Sequence, residues 1–132
     1  MTIQEMVREM CRAFGQDVHT ELHKPENAIR GLRLRLLSEE FREYMEAEKV
    51  GDPTEIADAL GDMLVVIHGT AAAYGINLDA VVGEIHASNM TKVQPDGTVL
   101  RDENGKVLKP DSYRPPQLAP ILGNIGKWEV SA

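Results

Sequence analysis

The feature that most constrains this chain is a short turn, Gly51-Asp52-Pro53, between two long segments whose apolar residues recur at helical spacing. The first segment runs from Pro25 to about Val50, and the second runs from Pro53 to Tyr74. Asp is a preferred residue at a helix N-cap and Pro at the first helical position, so Asp52 and Pro53 predict a helix start. A turn this short folds the two helices antiparallel, with one face of each against the other.

Two further helices and an irregular tail complete the prediction. The first helix runs from about Thr2 to Phe14 and stops at Gly15, and the fourth spans Leu78 to about Met90. In the tail, Asn104-Gly105 indicates a β-hairpin, and the prolines that follow indicate an extended arm that lies on a neighbouring subunit. The predicted fold class is all-α: an oligomeric, four-helix antiparallel bundle-type protomer with a C-terminal β-hairpin and Pro-rich arm. We predict a single domain, 1–132, with helices to about residue 92 and the hairpin and arm over 93–132.

Acidic residues cluster on the second and third predicted helices at spacings of three and four residues, which place them on one side of each helix. Antiparallel packing brings these sides together, and so many like charges repel unless a cation lies between them. Carboxylate oxygens suit Mg²⁺ or Mn²⁺, which indicates a Mg²⁺-dependent reaction on a phosphate substrate. The acidic residues are Glu39, Glu40 and Glu43 on one helix and Glu55, Asp58 and Asp62 on the next.

Spacing alone also fits a simpler interpretation, in which the acidic residues are solvated. Glu39 and Glu43 lie roughly opposite the apolar stripe of their helix, and Glu55 is suited to a capping box at the start of the third helix. Asp62, however, leads into Met63 to Ile67, a stretch that is apolar on every side and typical of a buried helix. The spacing leaves both interpretations open.

Composition restricts the partners and the compartment. A net charge of −7 over 132 residues argues against nucleic acid or an anionic membrane as a partner, while a metal can still bridge acidic side chains to a nucleotide. The longest apolar run is too short to span a bilayer, and no signal peptide is recognised. Cys11 is the single cysteine, which excludes an internal disulfide and indicates the cytoplasm. Its place in an apolar stripe predicts a buried thiol.

Two polar groups lie near the end of the helical region and in the tail. Asn89 and Lys92 are three residues apart, and an amide can bind a base or sugar while an ammonium can bind phosphate. Lys109 and Tyr113 belong to a basic and aromatic group that suits phosphate and base contacts across a subunit boundary. Helix capping by Asn89 and an ordinary solvated hairpin explain the same residues at least as well.

The acidic pattern resembles the paired motifs of the all-α nucleoside triphosphate pyrophosphohydrolases, the MazG-like superfamily that includes dimeric dUTPases and phosphoribosyl-ATP pyrophosphohydrolase. Other stretches are similar to the phosphoribosyl-ATP pyrophosphohydrolase-like branch, so that the resemblance covers the chain from Phe14 to Leu118. These stretches are Ile56 to Asp62, His68 to Ala71, Tyr74 to Ile76, Glu84 to Lys92 and Gly105 to Pro110.

The resemblance implies an enzyme that uses Mg²⁺, with Mn²⁺ as a substitute, to split a nucleoside triphosphate into monophosphate and pyrophosphate. It also implies a homo-oligomer, either a dimer or a dimer of dimers. The implied substrate is dUTP, another dNTP or a non-canonical NTP, with phosphoribosyl-ATP as the alternative.

The resemblance also suggests residue roles. Many family members carry Glu three residues before the position of Asp62, where this chain has Ala59. We infer that Asp58 replaces that Glu, while Glu55 either supports the ligands from outside or caps the helix. The implied metal ligands are Glu39, Glu40, Glu43, Asp58 and Asp62, with Glu40 also the general base, and the implied substrate contacts are Asn89 and Lys92. Lys109 and Tyr113 are predicted as further substrate contacts from the basic and aromatic group in the tail.

Two other classes of protein also pair acidic helices. A ferritin-like di-iron protein requires Glu-x-x-His spacing, and the pairs Glu21 with His23 and Glu84 with His86 have the wrong offset. A non-catalytic helical dimerisation module stays open as an alternative. Metal titration distinguishes it from the enzyme, which we expect to bind two or more Mg²⁺ or Mn²⁺ per subunit.

Overall fold

The computed structural model describes residues 1–130 and contains four α-helices: α1 (Ile3–Ala13), α2 (Asn27–Val50), α3 (Pro53–Tyr74) and α4 (Leu78–Met90). A short 3₁₀-helix spans Ala119–Leu122. No strand is present between residues 1 and 130, so the all-α prediction is confirmed. The chain divides into two compact units, one formed by Met1–Asn77 together with residues 128–130, and the other by Leu78–Lys127. The single-domain assignment stays a prediction.

Local sequence explains where α1 and α3 begin. Thr2 caps α1 in a reciprocal capping box, in which the Glu5 N–H donates to Thr2 Oγ1 and the Thr2 N–H donates to Glu5 Oε2. Asp52 caps α3 by accepting from the Thr54 N–H at 2.9 Å, with Pro53 at the first helical position as predicted. Within residues 1–130, no return bond from Glu55 completes this cap, so the capping box predicted there is wrong.

Helices α2 and α3 follow each other through the turn at Gly51 and Asp52 and pack against each other. Helix α2 begins at Asn27, so the prediction that Pro25 opens it is wrong; Pro25 is buried just ahead of the helix. Buried residues on these two helices are mostly small, including Ala47 on α2 and Ala59 on α3. Small side chains let two helix axes approach closely, which brings the polar groups between them within reach of each other.

Helix α1 and the loop after it pack against the end of α3. Cys11 is 2% exposed on α1, which confirms the predicted buried thiol. The backbone N–H groups of His19 and His23 donate to the carbonyl oxygens of Ala72 and Tyr74, at 2.9 and 2.8 Å. These bonds satisfy carbonyl groups that the end of a helix leaves without partners inside the helix.

Helix α3 is less buried in the protomer than its composition predicted. His68 and Gly69 are buried, but Leu60 and Leu64 stay 47% and 45% exposed. Within residues 1–130, α3 is also the one helix long and apolar enough to cross a membrane by length and composition alone. That is weak evidence, because the core helix of a soluble protein passes the same test.

The second unit is built on α4 and the first part of the proline-rich arm. The buried Ser88 hydroxyl donates to the Arg114 carbonyl at 2.8 Å. Glu84 Oε1 accepts from Arg114 Nη1 at 2.7 Å and from the Gln117 N–H at 3.0 Å. This part of the arm is therefore bonded to α4 of its own chain.

The predicted β-hairpin lacks strands. The turn at Asn104-Gly105 forms, because Asp102 Oδ1 accepts from the backbone N–H groups of Asn104 and Lys106 at 2.9 Å. Such side-chain bonds compete with the backbone bonds of a strand ladder, and the flanking residues pair only as isolated antiparallel bridges. These bridges join Val93 to Val99 and Arg101 to Val107.

Candidate active site

Three carboxylates meet where α2 and α3 face each other. One oxygen each from Glu40, Glu43 and Asp62 lies within 4.8 Å of the other two. Glu40 and Glu43 are adjacent on one side of α2 because residues three apart are neighbours on a helix, and Asp62 approaches them from α3. The structure therefore brings together three of the residues that sequence analysis selected as metal ligands.

Glu40 is the most constrained member of this acidic cluster. Its Oε2 atom is buried and has no hydrogen-bond partner. Burial raises the pKa of Glu40, and the charge of Glu43 raises it further, followed by the charges of Asp62 and Glu39. A carboxylate in this position either keeps a proton or is neutralised by a cation.

The donor set of the acidic cluster fits a hard divalent cation. All three groups offer carboxylate oxygens, which are the ligands that Mg²⁺ and Mn²⁺ prefer. The partnerless Oε2 of Glu40 is an acceptor that a cation bound at the cluster would satisfy. Cation binding would compete with the proton that the raised pKa favours, as expected where metal and proton share a ligand.

The other acidic candidates lie beside the cluster. Within residues 1–130, Glu39 and Asp58 do not belong to the group of carboxylates that are close enough together to share an ion. Asp58 and Glu55 are exposed and line an open groove of about 360 Å³ with Glu43 and Glu46. Ala59 lines the same groove and is 5% exposed. An ion held by Asp58 would therefore lie on the groove side of Glu43.

Arg33 was missed by sequence reasoning, yet it is a conspicuous polar group of the α2–α3 interface. Its Nε donates to Thr70 Oγ1 at 3.0 Å and its Nη2 donates to the Val66 carbonyl at 2.7 Å. A Cβ at Gly69 would lie 2.4 Å from Arg33 Nη2, so the guanidinium packs directly on the α3 backbone. The available signals were a glycine inside a helix, seven residues after Asp62, and an arginine seven residues before Glu40.

A cavity of about 210 Å³ adjoins Arg33. Its walls come from the end of α1, the loop after it, α2 and α3, and they are mainly apolar. Burial lowers the pKa of Arg33, although a guanidinium stays charged at any physiological pH. The residues that line the cavity include Cys11, Asp17, Ile29, Leu32, Arg33 and Ala73.

In the second unit, the structure places the predicted substrate-binding residues near one another. Lys92 Nζ donates to Asn89 Oδ1 at 3.1 Å. The ammonium groups of Lys92 and Lys109 lie 5.9 and 5.1 Å from the ring centre of Tyr113, within the range of cation–π attraction. Two ammonium groups and one phenol ring thus form a cationic group in an acidic chain.

Comparison with known proteins identifies the family. Residues 7–89 match the family described as phosphoribosyl-ATP pyrophosphohydrolase. The chain belongs to this family. The phosphoribosyl-ATP pyrophosphohydrolase family is part of the MazG-like all-α nucleoside triphosphate pyrophosphohydrolase superfamily, which confirms the resemblance seen in the sequence. The matched range contains all four helices except the start of α1 and Met90, the last residue of α4.

One curated protein with a similar sequence is an uncharacterized protein of Acanthamoeba polyphaga mimivirus. The two sequences are 38% identical over 84 residues, which cover 59% of this chain and 33% of the viral protein. The chain therefore spans about a third of the length of that relative.

Proposed function

We propose that this chain hydrolyses a nucleoside triphosphate to the monophosphate and pyrophosphate in a Mg²⁺-dependent reaction, with Mn²⁺ as a substitute. The observation that carries the proposal is the buried, partnerless Oε2 of Glu40 inside the cluster with Glu43 and Asp62. Family membership supports the same reaction class, because the family acts on nucleotides and typically depends on a divalent metal. A solvated acidic face would leave no buried oxygen without a partner.

Glu40, Glu43 and Asp62 would hold the metal, and Glu39 and Asp58 are the further ligands proposed from the sequence. A bound divalent cation supplies charge neutralisation for the phosphates and a lower pKa for a coordinated water. Glu40 would accept the proton of the attacking water as the general base, because its Oε2 has no hydrogen-bond partner within residues 1–130. Glu43 and Asp62 would supply the negative charge that holds the cation in place.

Two substrate classes fit this proposal. One is dUTP, another dNTP or a non-canonical NTP, and the other is phosphoribosyl-ATP, which the family name favours at least equally. We propose that Asn89, Lys92, Lys109 and Tyr113 contact the substrate. Two ammonium groups around one aromatic ring offer positive charge to a phosphate.

The proposed assembly is a homo-oligomer, a dimer or a dimer of dimers, in the cytoplasm. Support comes from exposed apolar side chains on one stripe of α2, where Leu34, Phe41 and Met45 are 72%, 49% and 44% exposed. The same surface favours the second candidate function, a helical dimerisation module without catalysis. A dimerisation module does not require a bound metal, so a measurement of Mg²⁺ or Mn²⁺ binding distinguishes the two functions.

The decisive test combines substrate screening with two isosteric variants. We expect pyrophosphate release from at least one of the common NTPs, dNTPs or phosphoribosyl-ATP in the presence of Mg²⁺. Glu43→Gln and Asp62→Asn should each reduce turnover by about 100-fold or more, because each removes an oxygen charge from the metal-binding cluster. The helical circular dichroism spectrum should not change.

A matched control comes from the same helix. Glu48 is exposed on α2 and accepts a hydrogen bond from the Tyr44 hydroxyl at 3.0 Å, outside the acidic cluster. Glu48→Gln should leave turnover within about 2-fold of the wild type. Near-normal activity of Glu43→Gln or Asp62→Asn at saturating Mg²⁺ would refute the catalytic role of the cluster, and absence of Mg²⁺ and Mn²⁺ binding would favour the dimerisation module.

A further inference from the structure

The cavity beside Arg33 and the acidic cluster lie along the same interface between α2 and α3. Glu40 follows Arg33 by seven residues on α2, and Gly69 follows Asp62 by seven residues on α3. Seven residues are almost two full helical turns, so each pair occupies one face at a separation of about 10 Å. The order along α3 is Asp62 in the cluster, Val66 bonded to Arg33, and Gly69 to Ala73 at the cavity.

Arg33 carries a charge that the protein does not pair. No carboxylate within residues 1–130 forms an ion pair with it; its bonds go to the neutral oxygens of Val66 and Thr70. A half-buried guanidinium held in one orientation and without an anionic partner is prepared to bind an anionic group. Arg33 lies between the acidic cluster and the cavity. If the outer phosphates of a nucleotide were bound at the cluster, the phosphate nearest the sugar would lie beside Arg33.

The cavity has the chemistry of a binding site for a small, flat, mainly apolar group. Ile29, Leu32 and Ala73 supply apolar walls, and the Asp17 carboxylate offers a hydrogen-bond acceptor at the rim. Its volume of about 210 Å³ is below the about 300–1,000 Å³ of pockets for drug-sized ligands. A single nucleobase is a group of this size with ring N–H or amino donors for a carboxylate.

We propose that this cavity binds the base of the nucleotide whose phosphates are held at the acidic cluster, with Arg33 contacting the phosphate between them. The inference rests on the proposed hydrolysis of a nucleoside triphosphate. It deepens that function by assigning the binding of the nucleoside to residues of α1, α2, α3 and the loop after α1, all within the first compact unit.

The first test fills the cavity. Ala73 is 6% exposed and lines the cavity, so Ala73→Leu places extra methyl groups where the base would lie. The Michaelis constant for the nucleotide that the wild type hydrolyses best should rise about 10-fold or more, since small volume changes in an apolar pocket discriminate at this level. The inhibition constant of inorganic tripolyphosphate and the Mg²⁺ affinity should stay within about 2-fold, because neither probe has a base to enter the cavity. Ala57→Leu, an exposed change on α3 sixteen residues before Ala73, is the matched control.

The second test uses the wild-type protein, so it does not depend on the folding of a variant. The methyl NMR signals of Ile29 and Ala73 should shift when the non-hydrolysable α,β-imido analogue of dUTP or of ATP is added with Mg²⁺. Tripolyphosphate with Mg²⁺ should leave these signals in place. Binding of the analogues without any shift, or an unchanged Michaelis constant in folded Ala73→Leu, would overturn the base-binding cavity alone. If neither the analogues nor tripolyphosphate bind to the wild-type protein with Mg²⁺, the proposed function itself would be overturned.

Discussion

At the scale of single residues, Glu40 and Arg33 are opposites that share one interface. Burial and neighbouring acids raise the pKa of the Glu40 carboxylate. Arg33 is a cation that forms no ion pair with any carboxylate in the described part of the chain, residues 1–130. The helices hold them apart, because Arg33 is bonded to Val66 and Thr70 instead of to the acidic cluster. A negative cluster open to a cation and a separate positive group suit a ligand that carries both a metal and phosphates.

Cys11 should be chemically inert in the folded protein. It is 2% exposed, and burial raises the pKa of its thiol, which lowers the fraction of reactive thiolate at any given pH. We expect iodoacetamide at pH 8 to leave Cys11 unmodified in the native protein and to label it fully in denaturant, as measured by intact mass. Rapid labelling of the native protein would show that the end of α1 opens on the time scale of the reaction.

The start of α3 offers a prediction that separates capping from metal binding. Asp52 makes the cap, so Asp52→Ala should lower the free energy of unfolding by about 1 kcal/mol. Glu55 makes no return bond, so Glu55→Gln should change stability by less than about 0.5 kcal/mol. Activity of Glu55→Gln should also be retained. A loss as large as that of Asp62→Asn would instead identify Glu55 as a metal ligand.

At the scale of elements, the sequence predicted what depends on local chemistry. The bounds of α3 and α4 agree with prediction because Asp52, Pro53 and Gly75 determine where backbone bonds begin and end. The predicted start of α2 and the predicted hairpin strands were wrong. Helix α2 begins at Asn27, two residues after Pro25, and the residues around the Asp102 turn pair only as isolated bridges. Within the site, helical spacing placed Glu40, Glu43 and Asp62 on the helix sides where they are found. The position of Arg33 depends on packing against Gly69 of the facing helix, which the spacing within one helix does not predict.

Two glycines that end long helices should differ sharply in their tolerance of alanine. Gly51 after α2 and Gly75 after α3 both have positive φ, 74° and 67°, where a Cβ costs about 1–2 kcal/mol. A Cβ at Gly51 meets nothing within 4 Å, but at Gly75 it would lie 1.8 Å from the Glu21 carbonyl oxygen. Gly75→Ala should therefore lose about 1–3 kcal/mol more than Gly51→Ala, because the loop after α1 must move. If urea unfolding gives the same loss of unfolding free energy for both variants, the loop after α1 moves without a measurable cost.

At the scale of the whole molecule, the protomer keeps apolar surface that a soluble protein usually covers. One exposed stripe on α2 contains Leu34, Phe41 seven residues later and Met45 four residues after that. On α3, Leu60 and Leu64 are also exposed. The core of the first unit, by contrast, is built mainly from small residues such as the alanines of α3. A second copy of the chain would supply the large apolar contacts that the protomer lacks.

The last prediction tests this assembly by charge. Leu34→Glu and Phe41→Glu place a carboxylate in the exposed stripe, and a buried unpaired charge strongly opposes association. Light scattering at micromolar concentration should give a dimer or tetramer mass for the wild type and a smaller mass for both variants. Val50→Glu is the control, because Val50 is 67% exposed on the same helix but lies about 180° around it from Phe41. A monomeric wild type that hydrolyses nucleotide at full rate would refute the oligomer, and would show that one protomer holds the complete site.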